Sequence, residues 1–141
     1  EVSKNPVLLV PTRKSYIDMI LLGYIFFANG LKQPYFSTPH EYLQVKLINR
    51  VFKFCGSFYI QEDNNSALYD KILKEYISIL ISDKQTIVAT IENTRSKSGM
   101  LGKLNPKVFK AVIHNYFIGK AKDIDIIPVT INYDRILEGE T

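Results

Sequence analysis

The sequence has no tryptophan, one cysteine and two histidines in 141 residues. A single cysteine, Cys55, excludes an internal disulfide framework and weighs against zinc, whose ligand sets need Cys and His in clusters. His40 and His114 are too far apart in the chain to suggest a ligand pair, and read as surface or core histidines rather than catalysts. Seven glycines and six prolines exclude a collagen-like or linker-rich chain. No apolar run reaches the roughly 20 residues that a membrane-spanning helix needs. The most apolar stretch, Met19 to Ala28, suits a core helix or an interfacial one. The opening residues, Glu1-Val2-Ser3-Lys4-Asn5-Pro6, lack an initiator Met and a signal-peptide core, which reads as a piece cut from a longer protein.

What is present is an ordinary core-forming composition: 46% hydrophobic, 23% charged and 12% aromatic. That is enough for one domain, spanning 1–141, with no linker, repeat or low-complexity segment. Eighteen basic residues against fourteen acidic ones leave a net charge of +4. So mild a surplus suits an anionic small molecule, an anionic membrane surface or nucleic acid equally.

Short apolar runs alternate with longer helical patterns. Val7 to Val10, stopped by Pro11, reads as a buried strand. Ser15 to Asn29 reads as a helix, with Ser15 and Asp18 spaced as a capping box and Asn29-Gly30 as its end. Gln33 to Ser37 is a second strand. Glu41 to Phe54 presents Leu43, Leu47, Val51 and Phe54 on one helical face. Ser57 to Ile60 is a strand. Ser66 to Ile81 repeats the helical spacing with Leu68, Ile72, Tyr76 and Leu80. Thr86 to Ile91 is a strand, Pro106 to about Gly119 a helix, and Ile124 to Ile131 the last strand. The alternation predicts an α/β fold: a layered, mostly parallel central sheet flanked by helices.

In such sheets, sites collect at the carboxyl ends of strands. Two polar stretches there are chemically informative. One is Thr12-Arg13-Lys14-Ser15-Tyr16-Ile17-Asp18. The other is Glu92-Asn93-Thr94-Arg95-Ser96-Lys97-Ser98-Gly99, where Arg95 offers a planar fork for phosphate oxygens, Lys97 a point charge, and Thr94, Ser96 and Ser98 hydroxyl donors.

Four blocks in order, from Pro6 to Glu138, resemble those of the glycerolipid acyltransferases. The resemblance is greatest to the glycerol-3-phosphate and dihydroxyacetone-phosphate acyltransferase branch. "PVLLVPTRKSYID" resembles the block ending H-x-x-x-x-D, "GSFYIQ" resembles G-x-F-F-I-R, "IENTRSKSG" resembles E-G-T-R-S-R-S-G, and "IIPVTINYDRILE" resembles I-V-P-V-x-I-x-Y-D. The resemblance implies the acyltransferase fold and transfer of a fatty acyl group from acyl-CoA, as co-substrate, to a phosphorylated glycerol-type hydroxyl. It implies no other cofactor, no metal and no nucleic-acid partner. It also implies an intracellular, membrane-associated protein, attached through regions outside this piece, with peroxisome, mitochondrion and endoplasmic reticulum not distinguished. In the family pattern the histidine is the general base and the aspartate, here Asp18, orients it. Basic residues of the second and third blocks hold the acceptor's phosphate. On the third block that role falls to Glu92, Thr94, Arg95, Ser96 and Lys97.

Two positions depart from the pattern. Arg13 stands where the histidine belongs, and a guanidinium, with a pKa above about 12, accepts no proton at working pH. An ion pair between Arg13 and Asp18 is the expected consequence. In the second block the arginine is replaced by Gln61, followed by Glu62 and Asp63, which weakens the expected hold on a phosphate. Asn93 replaces a glycine, and asparagine tolerates left-handed backbone. Tyr133, Asp134 and Arg135 read as structural. Three functions follow: an acyltransferase with altered chemistry, an inactive relative that binds lipid or a partner, or a structural domain without a ligand. Turnover is expected to be very low or absent.

Overall fold

The computed structural model describes residues 4–15, 17–40, 46–61, 66–92 and 104–134. Among the described residues, five strands and four helices alternate along the chain. They are β1 (Val7–Pro11), α1 (Asp18–Ala28), β2 (Tyr35–Pro39), α2 (Lys46–Phe54), β3 (Phe58–Ile60), α3 (Ala67–Ser82), β4 (Thr86–Val88), α4 (Lys107–Phe117) and β5 (Asp125–Val129). The strands form one sheet in the order β3-β2-β4-β1-β5. Every pairing is parallel. The layered α/β architecture read from the sequence is therefore the one observed.

The handedness of the crossovers sets the layers. The connections β1–α1–β2 and β2–α2–β3 run one way along the sheet, and β3–α3–β4 and β4–α4–β5 run the other. Right-handed crossovers then put α1 and α2 on one face and α3 and α4 on the opposite face. The two cores agree with this. Leu9, Leu22, Phe36 and Val88 are buried beneath α1. Leu8, Ile77, Leu80, Ile81, Ile87, Val108, Ala111 and Val112 are buried between the sheet and the α3–α4 pair. Leu8 and Leu9 point to opposite faces because successive strand residues alternate. Pro128 is tolerated because β5 is an edge strand, where a missing amide breaks no ladder.

Helix boundaries match the punctuation of the sequence. Gly30, at φ +65°, ends α1 with the Leu31 amide donating to the Phe26 carbonyl at 2.9 Å, a left-handed turn that suits glycine. Pro106 caps the start of α4.

The predicted face of α3 is rotated, and one predicted face residue of α2 is displaced. In α3 the buried residues are Leu73, Ile77, Ser78, Leu80 and Ile81, while Leu68 and Ile72 are exposed. This helix is apolar on two sides, and packing against α4 selects the one that carries Ile77. In α2 Phe52 is buried, and Phe54, predicted on the apolar face, is exposed at the last turn. Residues 41–45, predicted as the start of this helix, lie outside the described residues.

Candidate active site

The change of crossover direction falls between β1 and β4, which are neighbours. In open parallel sheets the crevice at this switch point, at the carboxyl ends of the strands, is where ligands bind. The loop after β1 carries Arg13 to Asp18, and the segment after β4 carries Thr90 to Glu92. The first sequence-predicted stretch therefore meets Glu92, the leading residue of the second.

Asp18 is 4% exposed. One carboxylate oxygen accepts the backbone amides of Lys14 at 2.8 Å and Ser15 at 2.9 Å. The other accepts the hydroxyl of Tyr133. Only half of the predicted capping box is realised. Asp18 reaches back to the Ser15 amide, whereas the Ser15 hydroxyl accepts from Ile17 at 3.2 Å. Three donors thus satisfy the oxygens of a side chain that is closed to water.

The Arg13 guanidinium reaches the segment after β4. Its Nη1 donates to the Glu92 carbonyl at 3.3 Å, the same oxygen that accepts the Thr90 hydroxyl at 3.3 Å. Among the described residues, the Asp18 carboxylate is met by two amides and a phenol, in place of the expected Arg13–Asp18 ion pair. The reason is local geometry: the turn at Lys14-Ser15 aims two backbone amides at Asp18, while the Arg13 guanidinium is engaged by the Glu92 carbonyl. Arg13, Ser15, Asp18, Met19, Leu22, Phe52 and Thr90 line a small cavity under α1.

The last block clamps the β1 loop. The Thr12 amide donates to the Val129 carbonyl at 2.9 Å, and its hydroxyl accepts the Ile131 amide at 3.1 Å. The Lys14 ammonium donates to Asn132 at 2.8 Å. With the Tyr133–Asp18 bond, these contacts tie residues 12–18 to residues 129–133. Sequence reasoning took Tyr133 as structural and did not connect it with Asp18. The Tyr within the fourth block was the available signal.

Glu92 and Leu104 form an antiparallel bridge, and the Asn105 amide donates to the Ile91 carbonyl at 2.7 Å. The two stems of the third loop are thereby joined at the carboxyl end of β4. Thr94, Arg95, Ser96 and Lys97 lie outside the described residues, as do Glu62, Asp63 and Arg135. A second small cavity, behind β4, is lined by Ser37, Thr38, Ile60, Thr90, Glu92 and Asn105.

Gln61 is exposed at the end of β3. Its backbone amide donates to the Tyr69 hydroxyl at 2.9 Å, and its backbone carbonyl accepts the Lys107 ammonium at 3.1 Å. Lys107 also lies over the Tyr69 ring, 5.5 Å from its centre. A cation from the first turn of α4 therefore stands at the position where the second block lacks its arginine. Nothing in the spacing of the blocks pointed to it. His40 is exposed just past β2, and His114 lies in the groove between α3 and α4, on the sheet face opposite α1. Among the described residues, no group of three or more His, Cys, Asp or Glu could hold a metal ion.

Comparison with known proteins agrees with the resemblance of the four blocks. The family model described as Acyltransferase matches residues 1–132. The chain is 30% identical to human glycerol-3-phosphate acyltransferase 1, mitochondrial, over 95% of this chain and 17% of that protein. It is 28% identical to bovine dihydroxyacetone phosphate acyltransferase, over 97% of this chain and 20% of that protein. The chain thus spans a fifth or less of the length of these relatives.

Proposed function

Since this chain belongs to the acyltransferase family, we propose that its switch-point site is a glycerolipid acyl-transfer site from which the proton-accepting step has been lost. The donor is acyl-CoA and the acceptor a phosphorylated glycerol-type alcohol such as glycerol 3-phosphate or dihydroxyacetone phosphate. The relatives that carry those substrates in their names support this choice. A membrane-bound organelle as the location belongs to the same proposal, and one relative is named as mitochondrial.

The reaction forms an ester bond between the acceptor oxygen and the acyl carbonyl carbon, breaks the carbon–sulfur bond, and releases the thiol. The hydroxyl proton must pass to a base as the new bond forms. A positioned base contributes about 10²–10⁴-fold. The observation that carries the proposal is Arg13, which occupies the base position as a hydrogen-bond donor to the Glu92 carbonyl. A guanidinium cannot accept the proton. Asp18 already accepts from three donors inside the fold, so it is not a free base that replaces the histidine. Phosphate binding falls to the third loop, with Arg95 and Lys97, and to Lys107 beside Gln61.

The same observation favours a second reading, in which the domain binds acyl chains, phosphorylated glycerols or a protein partner without turnover. One experiment separates the two. Acyl-CoA and glycerol 3-phosphate binding are measured by calorimetry, alongside thiol release in the presence of both. Binding with thiol release just above background supports a slow acyltransferase, and binding with none supports the second reading. Turnover at the rate of an ordinary acyltransferase contradicts the assignment of Arg13.

A further inference from the structure

Helix α1 is apolar nearly all round, yet only Asp18 and Leu22 are buried. Its outer face carries Ile20, Tyr24 and Phe27, continued by Leu31 past the helix end, at the spacing of one helical stripe. Tyr24 is 65% and Phe27 75% exposed. A helix of this composition belongs against an apolar phase on both sides. Helix α2 lies in the same layer, and its Phe52 shares a cavity lining with Met19 and Leu22 of α1. Its outward residues are Arg50, Lys53 and the 86%-exposed Phe54.

The charge of this layer is one-sided. Between Met19 and Gln61 the only acidic residue is Glu41, against Lys32, Lys46, Arg50 and Lys53. The opposite layer also exposes apolar residues, among them Ile72, Ile79 and Phe117, but mixes them with both signs of charge, including Asp70, Glu75 and Asp83. Among the described residues, no helix is long and apolar enough to cross a membrane.

From these observations we propose that the outer face of the α1–α2 layer seats on an anionic lipid surface. Tyr24, Phe27 and Phe54 enter the headgroup boundary, and Lys32, Arg50 and Lys53 meet the lipid phosphates. An apolar stripe flanked by cations, with no exposed carboxylate between Met19 and Gln61 among the described residues, is the chemistry of an interfacial helix. A protein partner of ordinary composition would call for acceptors as well as donors on this face. The inference rests on surface chemistry alone and does not depend on the catalytic reading.

The test is flotation of the full chain with vesicles of phosphatidylcholine, alone or mixed with phosphatidylglycerol. Binding is expected to the mixed vesicles and to weaken as salt is raised. Phe27→Asp should reduce it about tenfold or more, and Lys53→Glu by about fivefold or more. Ile79→Asp, on the exposed side of α3, should bind like the parent and controls for unspecific stickiness. Circular dichroism confirms that each variant is folded. Binding by Phe27→Asp equal to the parent overturns the proposal. So does failure of the folded parent to bind mixed vesicles, the outcome expected if another part of the protein or a second copy covers this face.

Discussion

Replacing Tyr133 by phenylalanine removes one hydroxyl and keeps the ring, so its effect includes the loss of the bond to Asp18. The Asp18 carboxylate is 4% exposed and has three donors: the amides of Lys14 and Ser15 at 2.8 and 2.9 Å, and the Tyr133 hydroxyl. A hydrogen bond to a charged group contributes about 1.5–3 kcal/mol, and water cannot easily replace a donor at so enclosed an oxygen. Tyr133→Phe should therefore destabilise the chain by about 2 kcal/mol. With a urea slope of about 2 kcal/mol/M, the midpoint falls by about 1 M. Asp18→Asn should lower it too, because its amide cannot accept at both ends. The two changes act on one contact, so a double-mutant cycle should return a coupling of about 1 kcal/mol or more. Additivity within about 0.5 kcal/mol would refute the claim that Tyr133 holds Asp18.

Other parts of the account are open to equally simple tests. Lys107→Ala should weaken glycerol 3-phosphate binding severalfold in a calorimetric titration, and an unchanged affinity would remove Lys107 from the acceptor site. Ile77→Ala, at a fully enclosed position under α3, should cost about 2–5 kcal/mol in urea unfolding. Burial, helped by the neighbouring Tyr35, raises the Tyr76 phenol above its ordinary value. The unfolded chain then loses this proton first, so stability should be level below about pH 10 and fall above it, and Tyr76→Phe should reduce the fall.

The fold was legible where local chemistry decides it. Pro11, Gly30, Gly56 and Pro106 punctuate apolar runs whose lengths separate strands from helices. The strand order was not, because nothing local to β1 says that β4 and β5 will flank it. The face of α3 was misread for a related reason. Leu68 and Ile72 follow the helical spacing as well as Leu73 and Ile77 do, and only the position of α4 decides between them. At the site, the Asp18 bond to Ser15 was implicit in a three-residue spacing. The bonds from Tyr133 to Asp18 and from Lys107 to Gln61 join residues far apart in sequence. They follow from the topology, which brings the segments after β1 and β5 side by side and the first turn of α4 next to the end of β3.

The central claim is that this acyltransferase site lacks its base because position 13 is arginine. The most direct measurement is single-turnover acyl transfer from labelled acyl-CoA to glycerol 3-phosphate and dihydroxyacetone phosphate, comparing the parent with Arg13→His. The account predicts a parent near background and a variant faster by about 10²-fold or more, as an imidazole beside Asp18 takes up the hydroxyl proton. A parent that turns over well above background, with no gain in Arg13→His, would contradict it.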